Sequence, residues 1–251
     1  MNIRRHIFGA SFFCGLLMLA SVCDANLILN GDFSQTTAGG AVVAQELDVA
    51  SSTSTYLANW TSTGYNFVFL PGTDAAGGAK QGSGTLNLWS SSNSSGANSW
   101  NGQGPTSSLN FIAADPAYNT GPITQTVNGL ITGRRYALSF QWAAAQQTGF
   151  RGANTEGWTV TLGSQSLSTV TVNNADQGFV PWMMMTMTFT ATSTSELLSF
   201  LATGGPTGFP PFALLSNVSM NLVPEPASAL IWGIGAFGVL IARRRGKKTA
   251  R

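Results

Sequence analysis

The sequence predicts an all-β protein: a single antiparallel β-sandwich or jelly roll over residues 26–222, flanked by an N-terminal signal peptide and a C-terminal transmembrane helix. Three observations predict it. Apolar and polar residues alternate at period two in one segment after another. Gly, Ser, Asn and Pro stretches separate those segments. No helical period of useful length occurs before residue 227.

The early strands are expected at Leu27–Asn30, Phe67–Leu70, Thr85–Trp89 and Ile123–Val127. The clearest strand is Tyr136 to Trp142, with Tyr136, Leu138, Phe140 and Trp142 on one face and Ala137, Ser139 and Gln141 on the other. Trp158, Val160 and Leu162 repeat the pattern, and Gly163-Ser164 supplies a turn before Leu167 to Val172. Met183, Met185, Met187 and Phe189 share a face of the next strand. Methionine at alternating spacing points to core packing rather than to a metal. Glu196–Thr203 and Phe212–Leu222 complete the set.

Charge and residue usage exclude whole classes of chemistry. The 251-residue chain is nominally +2, yet eight of its twelve basic residues lie in the terminal segments. Residues 26–223 hold Lys80, Arg134, Arg135 and Arg151 against eight acids, a net charge of −4. No basic stripe exists, so no nucleic-acid partner is expected. Both cysteines (Cys14, Cys23) and the single histidine (His6) fall in the signal peptide. Without them the exported domain has no Ser-His-Asp triad, Cys nucleophile, His/Cys zinc site or disulfide. Its stability must come from a core, and 198 residues suffice for one.

The two ends read as delivery signals. Arg4 and Arg5 precede the apolar run Ile7–Ala20, and small residues lead to Ala25, so residues 1–25 form a secretory signal peptide. At the other end, residues 223–251 carry Pro224-Glu225-Pro226, then the uncharged run 227–242, then Arg243, Arg244 and Arg245. Sixteen residues make a helix of about 24 Å, a short span for a bilayer core of about 30 Å. The basic cluster is expected to stay cytoplasmic and act as the stop.

This tail resembles the PEP-CTERM sorting signal. The resemblance implies an exosortase as partner, membrane insertion through the helix before processing, and removal of the tail near the tripeptide. A cell-surface or extracellular-matrix destination follows from it. From composition alone, a permanent membrane anchor stays open beside processing.

Between the ends, Asn26-Leu-Ile-Leu-Asn-Gly-Asp-Phe33, Trp60, Ile123-Thr-Gln-Thr-Val127, Gly133 to Phe140 and Leu215-Ser-Asn-Val-Ser219 resemble the spaced motifs of galactose-binding-like jelly-roll domains. In carbohydrate-binding relatives, carboxylates after the opening Phe and in the closing strand help to hold a structural Ca²⁺. Here those positions are Ser34 and Ser216. The resemblance therefore implies a calcium site that is absent or rebuilt, with Asp32 as the available carboxylate. No other metal and no cofactor is expected.

Sugar recognition needs an aromatic face for the C–H side of a pyranose, with amides and carboxylates for its hydroxyls. Polar loops at 71–84, 90–108, 145–157 and 203–211 offer them. Trp100, Arg151, Asn154 and Glu156 are the candidate sugar-binding residues, with Phe150 and Phe209 nearby. Catalytic residues are not expected. The preferred reading is a non-catalytic exported protein that binds extracellular polysaccharide or occupies a matrix. The alternative is a secreted carbohydrate-active hydrolase using carboxylates alone, drawn from Glu46, Asp48, Glu156 and Asp176.

Overall fold

Strand β8 (Arg135–Gln146) alternates Tyr136, Leu138, Phe140 and Trp142 on one face, all buried, and the two sheets are assembled around it. The structure is a computed structural model that describes residues 26–37, 42–47, 57–70, 79–81, 84–89 and 109–224. The expected signal peptide, the expected transmembrane helix and basic stop, Trp100, Glu225 and Pro226 lie outside the described residues. Among the described residues there is no helix, and so none long and apolar enough to cross a membrane.

Beside β8 run β12 (Phe179–Thr190) and β14 (Pro211–Leu222), both antiparallel to it. The sheet continues from β14 through β6 (Phe111–Ala114), β3 (Asn66–Phe69), β1 (Gln45–Glu46), β4 (Ala79–Gln81) and β5 (Gly84–Leu86). All its pairings are antiparallel except the single β1–β4 contact. The second sheet has the order β10 (Gln165–Ser168), β9 (Asn154–Leu162), β13 (Ser195–Gly205), β7 (Ile123–Asn128) and β2 (Thr61–Ser62). Strand β11 (Val172–Asn174) also pairs with β9, beyond the stretch that β10 occupies. From β7 onward the chain passes repeatedly between sheets, the crossing pattern of a jelly roll.

The main core lies between the sheets. Trp142 and Phe140 of β8 meet Trp158 of β9 and Phe200 of β13; Phe140 and Phe200 are edge to face at 5.2 Å. Met187 is buried here, and Met183 and Met185 pack against it, so the methionines do fill core. Met184, on the opposite parity, is exposed.

A second core lies on the other face of the large sheet. Phe67 and Phe69 of β3, Phe111 and Ala113 of β6, Ala143 and Ala145 of β8, and Phe212 and Leu214 of β14 alternate with residues of the main core. Leu86 and Leu88 cover them, because the large sheet curls round on itself. Past β5, the Trp89 amide donates to Gln146 O at 2.7 Å, and the Thr148 amide donates to Asn87 O at 2.9 Å. A strand buried on both faces shows no polar alternation. That is why Phe-Ile-Ala-Ala, strand β6, carries no amphipathic signal in the sequence.

Two expectations are corrected. Leu27–Asn30 is not a strand. The Asn26 side chain accepts from the Ile28 amide, and the Gln125 side-chain amide bonds both N and O of Leu29. A side chain thus takes the place of a neighbouring strand. The expected loop 145–157 is shorter than its bounds: β8 runs to Gln146 and β9 begins at Asn154, leaving 147–153 as the turn.

Candidate functional site

Among the described residues, the exposed large apolar side chains include three aromatic ones, Tyr118, Phe150 and Phe209. Tyr118 and Phe150 line one open hollow of about 370 Å³ at an end of the sandwich, with Tyr65, Asp115, Gln147, Thr207, Gly208 and Pro210.

Each wall is fixed by local chemistry. After β6 the chain enters Asp115-Pro116, a turn-forming pair. Asp115 Oδ1 accepts the Ala117 amide at 2.7 Å and the Tyr118 amide at 3.1 Å, which closes the turn and presents the Tyr118 ring. The Tyr65 amide donates to Asn119 O at 2.9 Å, and the Asp115 amide donates to Tyr65 O at 3.1 Å. The Tyr65 and Tyr118 rings meet edge to face at 5.1 Å. The opposite loops are joined where the Gln147 amide donates to Pro210 O at 3.1 Å.

Burial raises the Asp115 carboxyl to about 6, against the two amide bonds that pull it down. Burial, followed by the charges of Glu46 and Asp115, pushes the Tyr65 hydroxyl up to about 12, so it is a neutral phenol at physiological pH. Burial also raises Glu46. The hollow therefore offers two exposed rings, a carboxyl poised near neutrality, a phenol and an amide.

No protein-family model and no curated protein matches the chain. Among solved structures it is similar to TmCBM61 in complex with β-1,4-galactotriose, at 14% identity and a TM-score of 0.41, covering 79% of this chain and 99% of that one. It is also similar to a CBM4 structure, at 15% identity and a TM-score of 0.33, covering 78% and 99%. The CBM22-1 xylan-binding domain of Paenibacillus barcinonensis Xyn10C aligns at 12% identity and a TM-score of 0.34, covering 81% and 97%.

Of the residues singled out from the sequence, Trp100 lies outside the described residues, and Arg151, Asn154 and Glu156 are not in the lining of the hollow. Arg151 is exposed and forms a 2.9 Å ion pair with Asp176. The Gly152 amide and then the Arg151 guanidinium hold the Asp176 carboxyl below its ordinary range. Asn154 and Glu156 face inward on β9 and are 2% and 0% exposed. Neither side chain reaches solvent. Burial pushes the Glu156 carboxyl well up, and the nearby Asn174 amide opposes this without completing a hydrogen bond. The loop that carried these candidates does supply Phe150 and Gln147. The signal for Asp115 and Tyr118 is a carboxylate and an aromatic within the turn-forming run 115–122, which carries two Pro, an Asn and a Gly, a signal the longer loops overshadow.

At the two calcium positions implied by the resemblance, the residues present do not fit the ion. The Ser216 hydroxyl is buried and donates to Asn110 O at 2.7 Å. Asp32 Oδ1 accepts the Ser34 amide. Among the described residues, no three His, Cys, Asp or Glu side chains gather.

Asp115 gives a pH signature. An acid whose folded pKa lies above its unfolded value binds protons more tightly when folded. The penalty for ionised Asp115 is complete above about pH 6 and is relieved as pH falls toward 4. Asp115→Asn keeps an acceptor for Ala117 and Tyr118 but cannot titrate. Relative to this variant, wild type is expected to gain about 1–2 kcal/mol between pH 7 and pH 4, after allowance for screening at the groove mouth. Denaturant melts at the two pH values read the difference; parallel profiles would contradict it.

Proposed function

We propose that the chain is an exported, non-catalytic protein whose sandwich binds extracellular polysaccharide at the Tyr118–Phe150 hollow. The observation that carries this is the pairing of two solvent-exposed rings with a carboxyl, a phenol and an amide in one concave place. Rings cover the apolar face of a pyranose while polar groups take its hydroxyls. The exported domain's negative charge favours neutral glycans over acidic ones. A glycan array followed by affinity electrophoresis tests it: retention on a neutral polysaccharide without turnover is expected, and no retention on any glycan would refute it.

Delivery completes the reading. The signal peptide sends the chain out, the C-terminal helix holds it in the membrane, and an exosortase acts at Pro224-Glu225-Pro226. Mass spectrometry of the native C-terminus should find a chain ending near the tripeptide. A mature chain still ending at Arg251 would indicate a permanent anchor instead.

A second reading, a hydrolase using carboxyls, draws on Glu46 and Asp115. Both have raised pKa values and both act on Tyr65 beside the hollow. Release of reducing sugar that disappears in Asp115→Asn would favour it over binding alone.

A further inference from the structure

The large sheet ends at β12, and among the described residues no strand pairs with its far edge. One contact shows which backbone groups that edge presents. The Thr190 amide donates to Gln165 Oε1 at 3.0 Å, and Thr190 O accepts from Gln165 Nε2 at 2.6 Å. Both groups of Thr190 therefore point away from β8. Along an antiparallel strand this direction alternates from one residue to the next. The register with β8 is unbroken from Met183 to Thr190, so Met184, Thr186 and Thr188 also turn N–H and C=O outward. Sheet edges that stay unpaired are commonly guarded by charge, proline or a bulge. None of these lies between Met183 and Thr190.

The side of the sandwich beside this edge is apolar. The run 165–174 flanks β12, with Gln165 at Thr190 and Asn174 donating to Gly178 O just before β12 begins. Within that run, Leu167 stands opposite Val160 in the β10–β9 register, so it faces inward, yet it is 40% exposed. Met183 and Met185 share the inward face of β12 with Met187 but are only partly buried, as is Val172 of β11. Side chains that face the core and still reach solvent form an apolar seam along the open side.

We propose that the β12 edge and this seam form an interface for a second copy of the chain, the two β12 strands pairing antiparallel about a two-fold axis at Thr186. That pairing sets Thr186 against itself and Met184 against Thr188 of the second copy. All three residues turn both backbone groups outward, so every such rung is a hydrogen-bonded pair. The ladder ends where the edge ends: Gln165 occupies Thr190, and the irregularity between Val180 and Met183, with Pro181 in it, lies beyond the other end. A two-fold interface needs an edge that is complementary to itself in this way. Charge also favours a copy. The exported domain is −4 overall, yet residues 179–190 carry no charge, so two copies meet there without repulsion and a charged partner finds no counter-charge. The joined sheet keeps the same face on the same side, so the two seams adjoin, and flexible methionines suit such a contact. The interface does not depend on sugar binding at the hollow.

Sedimentation of the full chain in mild detergent, over a series of concentrations, tests it. A dimer that dissociates on dilution is expected. Thr186→Lys and Thr186→Glu each set like charges opposite one another across the axis and should weaken association at least tenfold. The Thr186 side chain is exposed and meets Ser139 Oγ at 2.9 Å, so both variants should melt close to wild type. Mixing the two variants sets Lys against Glu and should restore the dimer, which a folding defect would not allow. Leu197→Lys, exposed on the interior strand β13 of the other sheet, should leave association unchanged. Thr186→Cys gives a reading that needs no disruption. Hydrogen-bonded antiparallel pairs stand about 5.5 Å apart at Cα, within disulfide range, so oxidation should link two copies of this variant and not of wild type. A chain that stays monomeric at every concentration overturns the proposal and leaves the edge to some other strand. A dimer that survives both charged variants, a mixture that fails to associate, or a Thr186→Cys chain that does not cross-link overturns it as well.

Discussion

Tyr118→Ala and Phe150→Ala are each expected to weaken polysaccharide retention about tenfold, and together about a hundredfold or more, without lowering the melting temperature. The reasoning is geometric. Tyr118 is 62% and Phe150 39% exposed, so neither contributes much to the core. They come from different loops, the Asp115 turn and the β8–β9 turn, so their losses should add. Each would lose a ring face that a pyranose can cover, worth about 1–2 kcal/mol when water is excluded. Val170→Ala is the control, because Val170 is 67% exposed and does not line the hollow. Equal retention by all three variants would move the sugar site elsewhere. A loss of retention that tracked a fall in melting temperature would make Tyr118 and Phe150 structural.

How the hollow forms explains why only part of it could be read in advance. Period-two patterning marks β8, β9, β12 and β13 because each buries one face over most of its length, and it marks the second half of β14, whose first half is buried on both faces. Their expected limits fall within a few residues of the observed ones. Strand β6 has both faces covered, and β1 and β2 are two residues long, so no periodicity marks them. Yet β6 ends at Asp115, which builds one wall of the hollow. The loop that holds Arg151, Asn154 and Glu156 does reach the site, but side-chain direction within it was not legible. Asn154 and Glu156 already belong to β9, and strand parity turns them inward beside Trp158. A residue type suited to sugar hydroxyls is therefore buried, and a chemically plain phenylalanine and tyrosine take the surface.

The opening motif is the opposite case, because its residues are legible and their reason is structural. Gly31→Ala is expected to destabilise the domain by about 3 kcal/mol or more. A Cβ on Gly31 would stand 1.9 Å from Val218 O and 3.2 Å from the Ile28 side chain. Val218 cannot retreat: its amide donates to Gly31 O at 2.9 Å, and it sits in the β14 irregularity between Ser216 and Ser219, where Asn217 has φ of 50°. Asn30 and Phe33 on either side also have positive φ, so the turn has little freedom to shift. Trp60 Nε1 bonds Leu29 O and Asn30 O, and Asn110 Nδ2 bonds Phe33 O, so the turn is also held from the other side. The motif is thus a clasp between the start and the end of the domain. Chemical denaturation of Gly31→Ala measures the cost, and Asp32→Ala, whose side chain reaches only the Ser34 amide, should cost less than about 1 kcal/mol. If the two variants unfold at the same denaturant concentration, the close approach to Val218 O does not hold the ends together. The resemblance in this stretch would then reflect something other than packing.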